Sequence, residues 1–513
     1  MTSRVAVAAP NTACTEAALS VAALGGGAVD AAIAALLVAM VNEPGVVSID
    51  AGAFATVWPS GGAGAVTIDG CVAMPGLGRA RDAGPPDVRE VETTYGGGVT
   101  MTVGLGSVAT PGALAALGLA HARFGQVPWA EVVAPAEAVA RAGFTLGVAS
   151  GYYLPHVRDN VFAWDAETSA TLRDGDGQWL ETGAHMRSAD LGDTLALVAA
   201  EGAKTLYDGA LADVVTADMS ARGGLVTRED LATYRALERP ALAVRCGAWE
   251  LRTNPPPAIG GPVLAALLTL LGDRPFGAWT REDVALLVDV QRLVLGYRRD
   301  HLDVAVDREA AGLSLLEHVA SHVSSGGRSP STVHVSVVDS AGSACAITAS
   351  SGYGSGATVP GTGIWLNNCL GEHELNRGER PQPGERLASN MAPTVGRSPD
   401  GGVLAIGSPG ADRITTALAQ VLAAFANGGA TLQEAISRPR LHVNHLDAHQ
   451  DGDVPVRVEA EEDMPLPDVG MPVRRHHRHS MFFGGVSATH LDPTGQLAAA
   501  GDPRRSGATA VSG

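Results

Sequence analysis

The run Thr-Val-His-Val-Ser-Val-Val-Asp, Thr332 to Asp339, constrains this chain more than any other stretch. Polar Thr332, His334 and Ser336 alternate with Val333, Val335 and Val337, the period of a strand with one face on a core. The segment before it, Ser321 to Ser331, is rich in Gly, Ser and Pro and reads as a loose, exposed loop. Such a loop feeding a strand that opens on Thr suits cleavage of the Ser331–Thr332 bond. A threonine hydroxyl needs an adjacent base. The freed α-amino group, with an ordinary pKa of ~7.7–8.0, would supply it from the same residue.

The texture of the chain changes at that point. Upstream, helices are expected over Thr15–Leu24, Ala28–Met40, Pro111–Phe124, Trp129–Ala142, Val263–Leu271 and Val284–Tyr297, with Pro135 kinking or delimiting the fourth. Ala53–Trp58 and Gly64–Asp69 read as a hairpin. Downstream, strands dominate: Thr332–Val338, Ala344–Ala349, Gly363–Asn367, Val403–Gly407, Gly485–His490 and Leu497–Ala500, with a helix over Ile414–Ala426. No internal repeat is visible.

Thr-x-His-x-Ser-Val-Val-Asp resembles the start of the small subunit in the γ-glutamyltransferase family of N-terminal-nucleophile hydrolases. Leu24-Gly-Gly-Gly-Ala-Val-Asp-Ala-Ala32, Gly223 to Tyr234, Pro255 to Gly261, Leu366-Asn-Asn368, Gly407-Ser-Pro-Gly410 and Asp502-Pro-Arg-Arg505 are similar to further family landmarks in the family's order, with Gly27 replacing an Asn. The resemblance implies an α/β fold, a four-layer αββα sandwich. It also implies autocleavage into residues 1–331 and 332–513, which stay together as a non-covalent heterodimer and one structural unit. It carries nucleophile to Thr332, its hydrogen-bonding partner to Ser350, and the oxyanion-hole amides to Gly410 and Ala411. Ala is tolerable at such a donor when its φ is ordinary. Asp502-Pro-Arg-Arg505 is expected to be structural.

The glutamate clamp departs from the family. Cys71 stands where the carboxylate-binding Arg is expected, and a thiol cannot replace its bidentate fork. Arg79 and Arg81 are the alternatives. Asn390 replaces one of a serine pair whose other member is Ser389; Gly352 replaces an Asn and Cys369 a Gln, while Glu372 keeps its acidic type. Glutathione is therefore a poor expected substrate. Altered relatives point first to cleavage of a C–C bond next to an oxalyl-type group of a pyrroline in 4-alkylproline antibiotic biosynthesis. An amidohydrolase acting on oxamate-like or glutaryl amides, a true γ-glutamyl hydrolase or transferase, and a non-catalytic scaffold are the other readings.

Composition removes some classes. A net charge of −18 and the lack of a basic stripe argue against nucleic acid. Arg474 to His479 reads as a solvated loop without metal-ligand spacing, and Gly352 to Gly356 lacks the context of a dinucleotide site. No metal or cofactor is expected. The Ala-, Gly- and Arg-rich, Lys-poor composition fits a high-GC bacterium. Five scattered cysteines without a C-x-x-C pair, no convincing signal peptide and no stretch long enough to span a bilayer point to a cytoplasmic enzyme with a small-molecule substrate and no membrane partner.

Overall fold

The computed structural model describes residues 4–80, 82–95, 98–319, 332–376, 378–445 and 456–513. Ser331 and Arg81 lie outside the described residues, and with them the upstream half of the expected cleavage bond and one alternative carboxylate ligand. Two antiparallel sheets are stacked. The first has seven strands, ordered Ala508–Val511, Val5–Ala9, Val333–Asp339, Ala344–Ser350, Gly52–Trp58, Val66–Gly70 and Leu237–Pro240. The second has six, ordered Leu497–Ala500, Ser487–Leu491, Val403–Gly407, Thr394–Arg397, Trp249–Thr253 and Leu242–Cys246.

Helices Thr12–Ala23 and Ala28–Asn42 cover the outer face of the first sheet; Gly260–Leu271 and Arg413–Leu422 cover the second. The molecule is the αββα sandwich that the resemblance implied. Two apolar layers lie between each sheet and its helices, and a smaller cluster including Val338, Ala346, Val395 and Ala405 lies between the sheets. Residues from both sides of Thr332 share each of these layers.

Local chemistry sets the helix ends. Asn11 caps its helix by accepting from the Cys14 N–H, and capping boxes at Thr227/Asp230, Thr280/Asp283 and Thr431/Glu434 start three others. Helix Ala28–Asn42 is buried along its whole length, consistent with its nearly unbroken apolar sequence. Its first turn is tied to the far end of the Thr332 strand, because Ala28 N–H donates to Asp339. A Cβ at Gly27 would lie 2.4 Å from the Gln126 amide nitrogen, so that exposed side chain would have to shift.

Strand Val333–Asp339 is paired on both edges and buried on both faces. The sequence expectation of one core face is thus corrected. Val333, Val335 and Val337 face helix Ala28–Asn42, whereas His334, Ser336 and Val338 face the second sheet, where polar side chains must find partners. They do: His334 Nδ1 pairs with Thr348 Oγ1 at 2.8 Å, His334 Nε2 with Ser336 Oγ at 2.7 Å, and Ser336 Oγ donates to the Ser487 carbonyl. Elsewhere, Gly363–Asn367 contracts to the two-residue strand Ile364–Trp365, and Val473–His476, which takes in the first three residues of the basic cluster, forms an edge strand in place of a loop, with His476 held by Glu459 at 2.7 Å.

Candidate active site

Sheet register positions the first site residue. Val333 pairs with Ala349 and His334 with Thr348, so the same antiparallel register carried one residue outward sets Thr332 opposite Ser350, which itself pairs with Gly52. Thr332 is only 3% exposed. Thr332, Ser350 and Gly52 line one pocket with Cys71, Val72, Cys369, Glu372, Leu375, Ala388, Ser389, Asn390, Met391, Ala411 and Ile414. Of the ten residues singled out from the sequence as catalytic or substrate-binding, Gly352 and Gly410 are not in this lining; both stand directly behind it.

Gly410 and Ala411 lie in the turn between strand Val403–Gly407 and helix Arg413–Leu422. Neither of their N–H groups donates to an acceptor among the described residues, although the carbonyls accept from Arg413 and Ile414. Two free amides at a helix N-terminus suit a developing anion. Gly410 has φ 124° and a Cβ there would come within 2.5 Å of the Gly484 Cα. Ala411 has φ 72°, in the left-handed region, which overturns the expectation of an ordinary φ. A non-glycine residue held there costs on the order of 1–2 kcal/mol and marks a turn fixed by its surroundings.

Glu372 is 2% exposed, and burial, reinforced by nearby Glu374, pushes its carboxyl well above the usual range. The Cys369 thiol hydrogen-bonds it, yet Oε2 accepts nothing from a described residue. Gly352 explains how it fits: with φ 65°, it leaves the space in which a Cβ would lie 2.6 Å from Glu372 Oε1 and 2.3 Å from Asn368 Oδ1. A longer residue at Gly352 would have to displace the Asn368 and Glu372 side chains and adopt a left-handed φ.

The two thiols are inert. Burial, then the Asp69 charge, lifts Cys71 to about 12, and burial, then the Glu372 charge, lifts Cys369 well above its ordinary value. Cys71 points its sulfur at the Leu387 carbonyl, 3.5 Å away. No arginine lines the pocket among the described residues; Arg79 is turned away, donating to the Gly84 carbonyl at 2.7 Å. His334 is no base for Thr332 either, since burial lowers it to about 3 and both ring nitrogens are engaged. Val72, Leu375, Ala388, Met391 and Ile414 form the apolar walls. Sequence reading missed these five, although Ala388 and Met391 flank the Ser389–Asn390 pair.

Similarity to known proteins accords with this geometry. The family model described as gamma-glutamyltranspeptidase matches residues 14–512. The chain belongs to the γ-glutamyltranspeptidase family. Among its relatives, the acylase ACY 1 proenzyme of Pseudomonas sp. (strain V22) is 30% identical over 95% of this chain and 90% of its own. The glutathione hydrolase proenzyme of Escherichia coli (strain K12) is 26% identical over 97% and 90%. The structure of cephalosporin acylase from Bacillus halodurans superposes with TM-score 0.78 at 23% identity, covering 99% of this chain and 96% of that one. Like its relatives in the γ-glutamyltranspeptidase family, the chain is an enzyme of the N-terminal-nucleophile hydrolase type. Among the described residues, no helix is long and apolar enough to cross a membrane.

Proposed function

We propose that this family member is an autoprocessing acylase that uses Thr332 as nucleophile and does not use γ-glutamyl donors. One observation carries the reading: a buried Thr332, opposite Ser350 and beside the free amides of Gly410 and Ala411, opens into a pocket with no arginine among its described lining residues. Thr332 Oγ first attacks the Ser331 carbonyl and the C–N bond breaks, which frees the Thr332 amine and leaves an ester; water then hydrolyses that ester, releasing the Ser331 carboxylate and restoring the Thr332 hydroxyl. In turnover, that amine takes the Oγ proton as Oγ attacks the substrate carbonyl, and the two amides stabilise the oxyanion. Ser350 holds Oγ in line. The leaving group departs with the proton, and water hydrolyses the acyl ester.

Glu372 then meets a cationic or N–H group of the substrate through Oε2, while Ser389 and Asn390 supply polar contacts to its acyl portion. An amide substrate is supported by the relatives named acylases. Cleavage of a C–C bond beside an oxalyl-type group of a pyrroline passes through the same ester and differs in its product. Edman sequencing of the smaller fragment is expected to begin Thr-Val-His, and Thr332→Ala to remain a single inactive chain. A fully active, uncleaved wild-type protein would refute the reading. Amine release from glutaryl or oxamate amides marks the acylase; oxalate release from an oxalyl-bearing pyrroline marks the C–C reaction.

A further inference from the structure

A second cavity, of about 670 Å³, shares two walls with the reaction pocket. Cys71 and Val72 face the reaction pocket while Ala73 faces the cavity; Ala388 faces the one and Arg386 the other. Tyr234 braces the first wall, donating its hydroxyl to the Cys71 carbonyl at 2.6 Å, and the Arg386 guanidinium lies 4.2 Å over the Tyr234 ring.

Arg308 opens helix Arg308–Val319 and lines this cavity, 8% exposed. It makes no hydrogen bond or ion pair with a described residue, and its Nε is buried without an acceptor. The other cations are occupied: Arg239 pairs with Asp69 at 2.8 Å, Arg386 sits 3.6 Å from Asp69 and donates to the Arg235 carbonyl, and Arg235 donates to the Ala232 and Tyr234 carbonyls. None of the acids nearby makes a direct ion pair with Arg308, although the charges of Asp303 and Glu385 act on it. Asp230 accepts from the Gly76, Leu77 and Thr227 amides, Asp307 from Ala310, and Glu385 from Gln382, while Glu309 is exposed. Asp303, whose charge reaches Arg308, is bound by Arg298 at 2.9 Å. A buried cation left unpaired costs several kcal/mol, and an arginine fork is built for a planar anion. The helix N-terminus beside it favours negative charge as well.

We propose that this cavity is a carboxylate-binding subsite, in which Arg308 receives a carboxylate group of the acyl donor. The identity of the ligand rests on the acylase reading; the anion site itself does not. Arg308 would offer the substrate, from a different element, the positive charge that Cys71 does not supply.

The test is calorimetric titration of glutarate into wild-type protein and into Thr332→Ala, Arg308→Gln, Arg308→Lys and Glu372→Gln. Saturable binding is expected in wild type, Thr332→Ala and Glu372→Gln, weakened roughly tenfold or more by Arg308→Gln and partly kept by Arg308→Lys. Thermal unfolding of Arg308→Gln should match or exceed wild type, because it removes a buried charge that no side chain pairs directly; a merely structural arginine would give the opposite. Absence of saturable glutarate binding to the wild type, or equal affinity in Arg308→Gln, overturns the subsite. Failure of the acylase reading shows separately, as processing and turnover that survive Thr332→Ala while the glutarate titration is unchanged.

Discussion

Two residues of the pocket are held in states that they would not choose alone. Burial, then the charge of Glu374, pushes the Glu372 carboxyl well above its ordinary range, which favours its neutral form over the charged form that a cation needs. Its raised value means that the folded state binds the proton more tightly than the unfolded chain, so its contribution to stability is greatest below the ordinary carboxylate value and is lost as pH rises through the folded one. Binding runs the other way. KM for a substrate with a cationic group should fall as pH rises through that same range, and Glu372→Gln should abolish this dependence, as pH-resolved steady-state kinetics would show. Ala411 is the other case. Ala411→Gly relieves the left-handed φ and should stabilise the protein by up to about 1 kcal/mol with processing retained. Gly410→Ala, driven against Gly484, should block processing. Urea denaturation and gel analysis of the pair measure both effects, and processing by Gly410→Ala at the wild-type rate would remove the turn from the mechanism.

At the scale of elements, the place of Thr332 is decided where the two sheets meet. Strand Val403–Gly407 presses Gly407 onto the His334 ring, and a Cβ at Gly407 would come within 2.2 Å of it. The ring cannot move aside, since Thr348 and Ser336 hold its two nitrogens. Gly407→Ala is therefore expected to cost about 1–3 kcal/mol and to slow self-cleavage by displacing the strand that begins beside Thr332. Chemical denaturation and the time course of fragment appearance check this; unchanged values for both would show the sheets to be more compliant than their packing indicates. Most elements were legible in sequence because their signals are local: Trp129–Ala142 and Leu497–Ala500 lie where periodicity placed them. The doubly buried strand was misjudged because polar alternation looks the same whether the polar face meets water or a second sheet.

The whole molecule is locked near its C-terminus by buried ions. Asp502 meets Arg440 at 2.7 Å and Arg504 at 3.2 Å, Arg504 binds Glu461, and Asp502 also accepts the Val486 N–H. Burial alone would raise Asp502, but Arg440 and Arg504 outweigh it and hold the carboxyl below its ordinary value. Glu459 is likewise held at about 2 against its burial by His476 and Arg457. Both groups contribute stability above their unfolded values, lost as pH falls through the folded ones, so unfolding should become steep below about pH 4. Asp502→Ala, which strands two buried arginines, should cost about 3–5 kcal/mol at neutral pH. Thermal melts across pH 2 to 7 would measure it. A variant as stable as wild type would show that the network is not what holds the C-terminal strand to the sheet.

The chain's order of motifs determined the family, the layered fold and the neighbourhood of Thr332, because each of those signals is carried by residues close in sequence. It also led, position by position, to the expectation of an altered clamp. What only the folded molecule decided depends on contacts between distant segments: that Ala411 is strained, that Gly352 makes room for Glu372, that His334 is spoken for, and that Arg308 arrives unpaired beside the wall formed by Cys71. A one-dimensional pattern records which side chains are present. Register and packing decide which of them meet, and a charge that finds no partner is visible only after all the others have been paired.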